Sequence, residues 1–360
     1  MLAEYPVRMR KAFRRVSRHL PTAFSVLLLA GCAAAPSPEV AASGRSTQTA
    51  VASSPSAHLT PVAASPTPSG PPLTSVALRD AIQADDVTAH LEELQRIADG
   101  NGGNRATGTT GFDASVEYVA DRLTVAGYEV TRQTFTVGDV PSVNLVTERA
   151  GADPRVIMLG AHLDSVVAGP GINDNGTGVA ALLVIAERLT ELPAPNRTVR
   201  LAFWGAEEGG PHGSRAYVDS LSPAERDRIG AYLNFDMLGS MNPIRFVYAE
   251  GGAAPGSEAL TALFALYFDG EGRPWAPIDL EGHSDHAAFT DAGIPTGGLF
   301  SGGREPKTDA QAATFGGAAG APADACSDQA CDTIDNVNAA MLDEMADAIA
   351  HALATLAAGD

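Results

Sequence analysis

The sequence predicts an α/β fold in which helices cover both faces of a mixed, mostly parallel central sheet. The main observation is that short apolar runs alternate with helical patterns from residue 155 onward, as in sheets whose parallel strands are joined by helical crossovers. Composition agrees, because 45% of the 360 residues are hydrophobic, only 6% are aromatic and 37 are glycine. These residues are enough for one large core.

The first 32 residues are predicted to be a signal peptide. Six Lys and Arg residues between Arg8 and Arg18 precede the apolar run Ala23 to Ala30, which is the order found in secretory signals. The run is too short to span a bilayer. It ends in Leu-Ala-Gly-Cys32, which resembles the lipobox of bacterial lipoproteins. An ordinary signal peptide with an incidental Cys32 is the alternative, and in either case we expect an exported protein.

Lipidation of Cys32 would anchor the protein to the outer face of the cell membrane, with the lipid as its only membrane contact. Residues 33–75 are almost all Ala, Pro, Ser, Thr, Gly or Val, so we expect a disordered tether. The folded domain is then 76–360. Without residues 1–32 the chain keeps 18 basic and 42 acidic residues, a net charge of −24. Such a charge argues against nucleic acid as a partner.

Secondary structure is predicted from hydrophobic periodicity along residues 76–360. Helical patterns and then β-rich runs open this region, at 78–98 and 110–126 and at 128–137 and 142–149. Further strand-like runs are predicted at 155–161, 199–204, 232–236, 246–250 and 296–300. Further helices are predicted at 178–192, 213–220, 256–268, 284–292 and 336–356. In such a fold, functional groups gather at the C-terminal ends of the strands.

The strand predicted at 155–161 leads into His162 and Asp164, within Leu-Gly-Ala-His-Leu-Asp-Ser-Val. A carboxylate two residues after a histidine lies on the same face of the strand and can hold or polarise a metal-bound imidazole. Asp174 follows in the glycine-flanked turn Gly-Ile-Asn-Asp-Asn-Gly, where it can reach a metal without steric hindrance. An isolated His-x-Asp is more often structural, but the paired context favours a metal site.

Two other strand ends carry acidic residues. The strand 199–204 leads into Glu207 and Glu208, and adjacent side chains on extended backbone point in different directions. One carboxylate can therefore bind metal while the other faces substrate and takes a proton. The strand 232–236 ends in Asp236, whose burial is costly without a cation or a partner. Alone, the glutamate pair would indicate a solvated strand end, but three converging strand ends predict a metal-dependent hydrolase.

These motifs resemble those of the bacterial secreted leucine-type aminopeptidases, which have a co-catalytic dizinc centre. The matching segments are Gly-Ala-His-Leu-Asp-Ser-Val, Gly-Ile-Asn-Asp, Trp-Gly-Ala-Glu-Glu, Asn-Phe-Asp-Met-Leu-Gly-Ser, Ser-Asp-His-Ala-Ala-Phe and Gly-Gly-Leu-Phe. The resemblance implies the zinc-exopeptidase fold and a lipoprotein member of the family that acts on peptides with a free N-terminus. It also implies two zinc ions bridged by Asp174, with His162 and Asp236 on one ion and Glu208 on the other.

Two further roles follow from the resemblance. Glu207 matches the general base that activates the bridging water, and Asp164 matches the acid behind His162. His283 stands where relatives have Arg in Gly-Arg-Ser-Asp, so we expect it on the substrate side of the site. His286, in Ser-Asp-His, is expected to support the site and not to bind metal. We expect a monomer.

The chain departs from the family pattern at Cys-Ser-Asp-Gln-Ala-Cys, residues 326–331, where the family has Cys-Tyr-His-x-x-Cys. Ser327 replaces the tyrosine that steadies the oxyanion at the substrate, and Asp328 replaces the last metal-binding histidine. Losing the oxyanion donor predicts a roughly tenfold to thousandfold lower rate. With Asp328 as ligand, the second metal has only oxygen ligands, so that site is expected to be weak or to hold Mn²⁺ or another hard ion.

Cys326 and Cys331 are expected to form a disulfide, since export places them in an oxidising compartment. Two other functions remain open. A single-metal enzyme similar to glutaminyl cyclase shares the fold, and a surface lipoprotein could keep the fold for binding after losing catalysis with the Tyr and the His. Preference for a particular N-terminal side chain is not determined by the sequence.

Overall fold

The computed structural model describes residues 73–249, 251 and 253–359. The predictions for residues 1–32, for Cys32 and for most of the tether lie outside the described residues. Leu73 is buried and Thr74 caps the first helix, α1 (Ser75–Ala81), by accepting a hydrogen bond from Ala77 N. Helix α2 (Ala84–Gly100) follows it. The single helix predicted at 78–98 is wrong, because the backbone is extended at residues 82 and 83.

Eight strands in the described part of the chain form one sheet. They are β1 (Thr131–Val137), β2 (Val140–Arg149), β3 (Asp153–His162), β4 (Arg197–Trp204), β5 (Ile229–Phe235), β6 (Phe246–Tyr248), β7 (Ala276–Ile278) and β8 (Thr296–Phe300). Their order is β1-β2-β4-β3-β5-β8-β6-β7. The central strands β4, β3, β5 and β8 are parallel, whereas β2 and β6 pair antiparallel to β4 and β8. The predicted mixed, mostly parallel sheet is confirmed.

One of the remaining helices, α3, precedes the first strand, and the others lie between or after the strands along the chain. They are α3 (Thr110–Val125), α4 (Thr177–Glu191), α5 (His212–Ser220), α6 (Pro223–Arg228), α7 (Ser257–Gly270), α8 (His286–Asp291), α9 (Asp309–Phe315) and α10 (Ala339–Ala358). None of the helices in the described ranges is both long and apolar enough to cross a membrane.

Buried side chains of β3 point alternately to the two faces of the sheet, which explains why both faces are covered. Ile157 and Leu159 belong to a large core built with α2, α3, α4, α7 and α10, whereas Val156 and Met158 belong to a second core with α5 and α8. Successive side chains of a strand point to opposite faces, so one buried strand supplies both cores.

The short elements α6, α9 and β7 were not predicted from the sequence. Two of them carried a readable signal, because Ser222 with Glu225 and Thr308 with Gln311 form capping boxes at the starts of α6 and α9. A hydroxyl residue followed three positions later by Glu or Gln marks a helix start. Strand β7 has only three residues and pairs with β6 alone, so its formation depends on tertiary contact.

The register of the sheet brings the three chemically interesting strand ends together. His162 at the end of β3 lies opposite Trp204 at the end of β4, and Gly160 lies opposite Asn234 of β5. The strands are parallel neighbours, so the residues after each strand emerge at the same edge. The predicted convergence of His162, Glu207, Glu208 and Asp236 therefore follows from strand pairing.

Candidate metal centre

The His162 imidazole is the centre of the site. Its side chain is 1% exposed, and its Nε2 lies 3.3 Å from Asp174 Oδ1 and 3.3 Å from Asp236 Oδ1. Ligand atoms placed about 2.0–2.1 Å from a tetrahedral zinc ion are about 3.3 Å apart. The other ring nitrogen, Nδ1, is 3.1 Å from the Asp164 backbone oxygen. A proton on Nδ1 donates to that carbonyl and leaves the Nε2 lone pair facing the two carboxylates.

Unpaired buried atoms test whether these residues fit a metal ion. His162 Nε2, Glu208 Oε1 and Asp236 Oδ1 are buried and make no hydrogen bond within the described part of the chain. His162, Asp174 and Glu208 each offer one ligand atom, and the three atoms lie within 4.8 Å of one another. Buried carboxylates without partners are costly unless a cation neutralises them. One imidazole among carboxylates is a donor set that zinc accepts, so the residues fit the ion.

A buried carboxylate, Asp332, holds the turn that carries Asp174. It accepts hydrogen bonds from Asn173 N at 2.9 Å and Asp174 N at 3.0 Å. Gly171 opens the turn at φ 64°, and a Cβ there would lie 2.4 Å from the Asp174 backbone oxygen. Asp332 was not predicted from the sequence as a site residue, although its position directly after Cys331 placed it beside the predicted disulfide loop.

The Asp164 carboxylate contacts both the histidine and the glutamate pair. Its Oδ1 lies 3.7 Å from His162 Nδ1 and accepts a hydrogen bond from Glu207 N at 3.0 Å. Its Oδ2 accepts one from the Thr107 hydroxyl at 3.3 Å. The backbone between β4 and Glu207 is not extended, because Ala206 has φ 58°. Asp164 therefore orients the main chain of Glu207 as well as lying behind His162.

The carboxylates of the centre differ in proton affinity. Burial raises the pKa of Glu207 well above its usual range, against the opposing effect of the His162 ring. Burial and the neighbouring Asp174 raise the pKa of Glu208 to about 9. For Asp236, burial acts against ionisation, but the His162 ring and the Ser284 hydroxyl outweigh it and lower the pKa. Burial thus favours the protonated forms of Glu207 and Glu208, whereas the His162 ring and Ser284 favour the ionised form of Asp236.

The loop between Cys326 and Cys331 closes one side of the centre. The predicted disulfide is confirmed, with a Cα–Cα distance of 5.2 Å. The Ser327 hydroxyl donates to Asp174 Oδ2 at 3.2 Å, so the residue in the tyrosine position contacts the site. Asp328 has φ 56°, and its carboxylate pairs with Arg304. Asp328 is not among the residues grouped around His162, while His283 is exposed in the loop before α8.

Fold and site together define an α/β protein with a buried, carboxylate-rich centre whose residues fit a metal ion. Residues 144–353 match the model of peptidase family M28. The chain belongs to this family.

Two curated relatives share extensive sequence with the chain. Leupeptin-inactivating enzyme 1 of Streptomyces exfoliatus is 45% identical over 302 residues, which cover 83% of this chain and 65% of that protein. A probable lipoprotein aminopeptidase of Mycobacterium tuberculosis is 40% identical over 240 residues, covering 63% of this chain and 48% of that protein. The chain thus spans less than two thirds of either relative.

Solved structures show the same fold. A zinc aminopeptidase from Bacillus subtilis superimposes with a TM-score of 0.65 at 16% identity, over 77% of this chain and 96% of that one. Porphyromonas gingivalis glutaminyl cyclase gives a TM-score of 0.61 at 20% identity, over 77% of this chain and 99% of that one. At these identities the likeness is one of fold alone, and it agrees with the α/β fold predicted from the sequence.

Proposed function

We propose that the protein is a metal-dependent aminopeptidase that removes N-terminal residues from peptides. The observation that carries the proposal is the arrangement around His162 Nε2, with Asp174 and Asp236 at 3.3 Å and Glu207 Oε2 at 3.9 Å. A proton acceptor beside a metal site is the arrangement that a metallopeptidase requires. The activity in the name of the Mycobacterium tuberculosis relative, a probable lipoprotein aminopeptidase, supports the same reaction.

The residues divide into two metal positions that share Asp174. His162 and Asp236 would hold the first ion with Asp174, and Glu208 would hold the second. Zinc at these positions would polarise the scissile carbonyl and lower the pKa of a water molecule. The name of the Bacillus subtilis protein of the same fold supports zinc as the metal.

Glu207 acts as the general base in this proposal. Its raised pKa suits a group that takes a proton from water and then gives it to the departing amine. The hydrogen bond from Glu207 N to Asp164 fixes the start of the side chain. Acidic groups around the site attract the free α-amine of a peptide, which restricts cleavage to the first residue.

The second metal position is proposed to be the weaker one. Asp174 and Glu208 supply only oxygen atoms, and Asp328 in this structure is paired with Arg304. Oxygen ligands favour harder ions such as Mn²⁺ relative to a site with an imidazole. Weak occupancy, with the loss of the tyrosine at Ser327, would give a slower enzyme than relatives that keep both residues.

Export, anchoring by a lipid on Cys32 and a monomeric state complete the proposal. Basic residues before a short apolar run and a cysteine after small residues support the anchor. The relative named as a lipoprotein aminopeptidase supports it independently.

Hydrolysis of leucine p-nitroanilide by the full chain tests the proposal. We expect turnover with Zn²⁺ or Mn²⁺ that falls by roughly 10² to 10⁴ in Glu207→Gln, as expected when a general base is removed. Zinc binding should persist in that variant. Glu117→Gln is a matched control, because Glu117 pairs with Arg132 on the surface.

Two outcomes would contradict the proposal. Formation of pyroglutamate from Gln-peptides without release of nitroaniline would identify a cyclase, the activity named for one protein of the same fold. Full metal loading with no turnover on either substrate would indicate a binding protein.

A further inference from the structure

A fully buried arginine lies behind the metal centre. Arg105 is 0% exposed, and its guanidinium donates to three backbone oxygens. The acceptors are the backbone oxygens of Leu163, of Pro170 at 2.8 Å and of Gly171 at 2.6 Å. All three belong to the loop that joins His162 to Asp174. The arginine thus contacts both ends of the segment that separates two metal-binding side chains.

The backbone next to this arginine is tied to the same loops. Arg105 N donates to Ser165 Oγ at 2.9 Å, and Ser165 N donates back to the Arg105 oxygen at 3.3 Å. Two residues further on, the Thr107 hydroxyl donates to Asp164 and accepts from Ala206 N at 3.0 Å. The segment 105–107 therefore links the loop after β3 to the loop that carries the glutamate pair.

The three hydrogen bonds from Arg105 to backbone oxygens require a guanidinium and not simply a positive charge. Arginine presents a planar fork of N–H donors, whereas a lysine ammonium is a compact point charge that cannot span three separated carbonyl groups. Burial lowers the pKa of Arg105 to about 10, although the nearby Asp164 carboxylate favours its charged form. The group is still protonated at neutral pH, so all its N–H groups remain donors.

We propose that Arg105 is a positioning residue for the metal centre. Its fork sets the path of residues 163–171 and so the 3.3 Å separation of His162 Nε2 and Asp174 Oδ1. The inference rests on the proposed function only in requiring that these residues bind metal.

Metal affinity measured on the full chain tests this role. The zinc dissociation constant is determined by competition with a chromophoric chelator, and the Co²⁺ absorption spectrum reports ligand geometry. We expect Arg105→Lys to weaken the tighter zinc site by about 10- to 100-fold, the usual effect of losing a group that orients metal ligands. The Co²⁺ spectrum should change as well.

Arg200→Lys is the matched control. Arg200 is another buried arginine, 6% exposed, but it binds Glu148 and Tyr217. Its replacement should lower the melting temperature and leave the zinc dissociation constant within about twofold, whereas a group that orients ligands changes affinity by about tenfold or more.

Each outcome decides the inference. A folded Arg105→Lys protein with the parent's zinc affinity and Co²⁺ spectrum would overturn it. If Arg105→Lys does not fold, Ser165→Ala decides, because it removes the acceptor of Arg105 N together with the bonds of that hydroxyl to the Val166 and Gly169 oxygens in the same loop. Weaker zinc binding supports the role and unchanged binding overturns it. A parent that binds zinc without hydrolysing peptides overturns the proposed function alone, whereas a parent that binds no zinc overturns both.

Discussion

The Ser284 hydroxyl donates to Asp236 Oδ2 at 2.7 Å, which leaves Asp236 Oδ1 facing His162 Nε2 at 3.3 Å. Ser284 in turn accepts from Asn234 Nδ2 at 2.9 Å, and Asn234 accepts from the Tyr232 hydroxyl at 2.7 Å. A chain of buried hydrogen bonds thus runs from the sheet to one metal-binding oxygen. Such chains fix the orientation of a ligand.

Ser284→Ala should weaken zinc binding at the first metal position. Without the hydroxyl, Asp236 can rotate and its pKa should rise, so the zinc dissociation constant should increase by about tenfold. Chelator competition at constant pH measures it. Ser220→Ala, at the end of α5, is a control that loses a hydroxyl far from the centre, and equal effects in both variants would contradict the role of Ser284.

Asp328→His should strengthen the second metal position. An imidazole added to an oxygen-only set favours zinc, so the second zinc should bind at least roughly tenfold more tightly and turnover should rise. Isothermal titration with Zn²⁺ and Mn²⁺ measures both stoichiometry and affinity. Unchanged binding of the second ion would mean that residue 328 does not reach the metal.

Arg304→Gln tests the second metal position by removing the ion pair of Asp328. Removing the guanidinium frees the Asp328 carboxylate, so the affinity for a second Mn²⁺ should rise. Arg132→Gln is the control, because it breaks an exposed pair with Glu117. Equal Mn²⁺ affinity in the parent and in Arg304→Gln would show that the ion pair does not compete with metal.

The chelator-treated protein should become less stable as pH rises. Burial raises the pKa of Asp285 and Asp332 to about 7 and, together with Asp174, that of Glu208 to about 9. An acid with a raised folded pKa binds more protons in the folded state, so the free energy of unfolding falls between the unfolded pKa near 4 and the folded pKa. His162, whose pKa is raised by the surrounding carboxylates despite burial, acts in the same direction.

Thermal unfolding from pH 5 to 9 measures this dependence. The melting temperature of the metal-free protein should fall across the range, and Glu208→Gln should flatten the upper part of the curve. Zinc should reduce the slope, because it replaces protons in neutralising the carboxylates. A metal-free protein that gains stability toward pH 9 would contradict the raised pKa values of these buried acids.

Cys32→Ser should release the protein from the membrane fraction. Lipidation requires the thiol of this cysteine, and the folded domain itself contributes no spanning helix among its described residues. Fractionation of cells that express the parent and the variant measures the distribution. Membrane association that survives the substitution would leave Cys32 without the proposed role.

Local sequence was sufficient for every described strand except β7 and for the convergence of the acidic strand ends on His162. His162 follows the apolar run 155–161 directly, and Glu207 and Glu208 follow the run 199–204 after two intervening residues. Their place at the sheet edge therefore follows from chain connectivity. The strand at 296–300 was predicted with the bounds of β8. Such patterns depend on residues that are close in sequence, so hydrophobic periodicity predicts them.

Contacts between distant residues were decided only by the tertiary structure. Asp332 holds Asp174 from 158 positions away, and Arg304 pairs with Asp328 from 24 positions away. No periodicity encodes such pairs, because they depend on the paths of loops that pack against one another. The sequence by itself therefore predicted that His162, Asp174, Glu207, Glu208 and Asp236 converge at one edge of the sheet, whereas tertiary packing decided what orients them, because a hydrogen bond forms only where two loops meet in space.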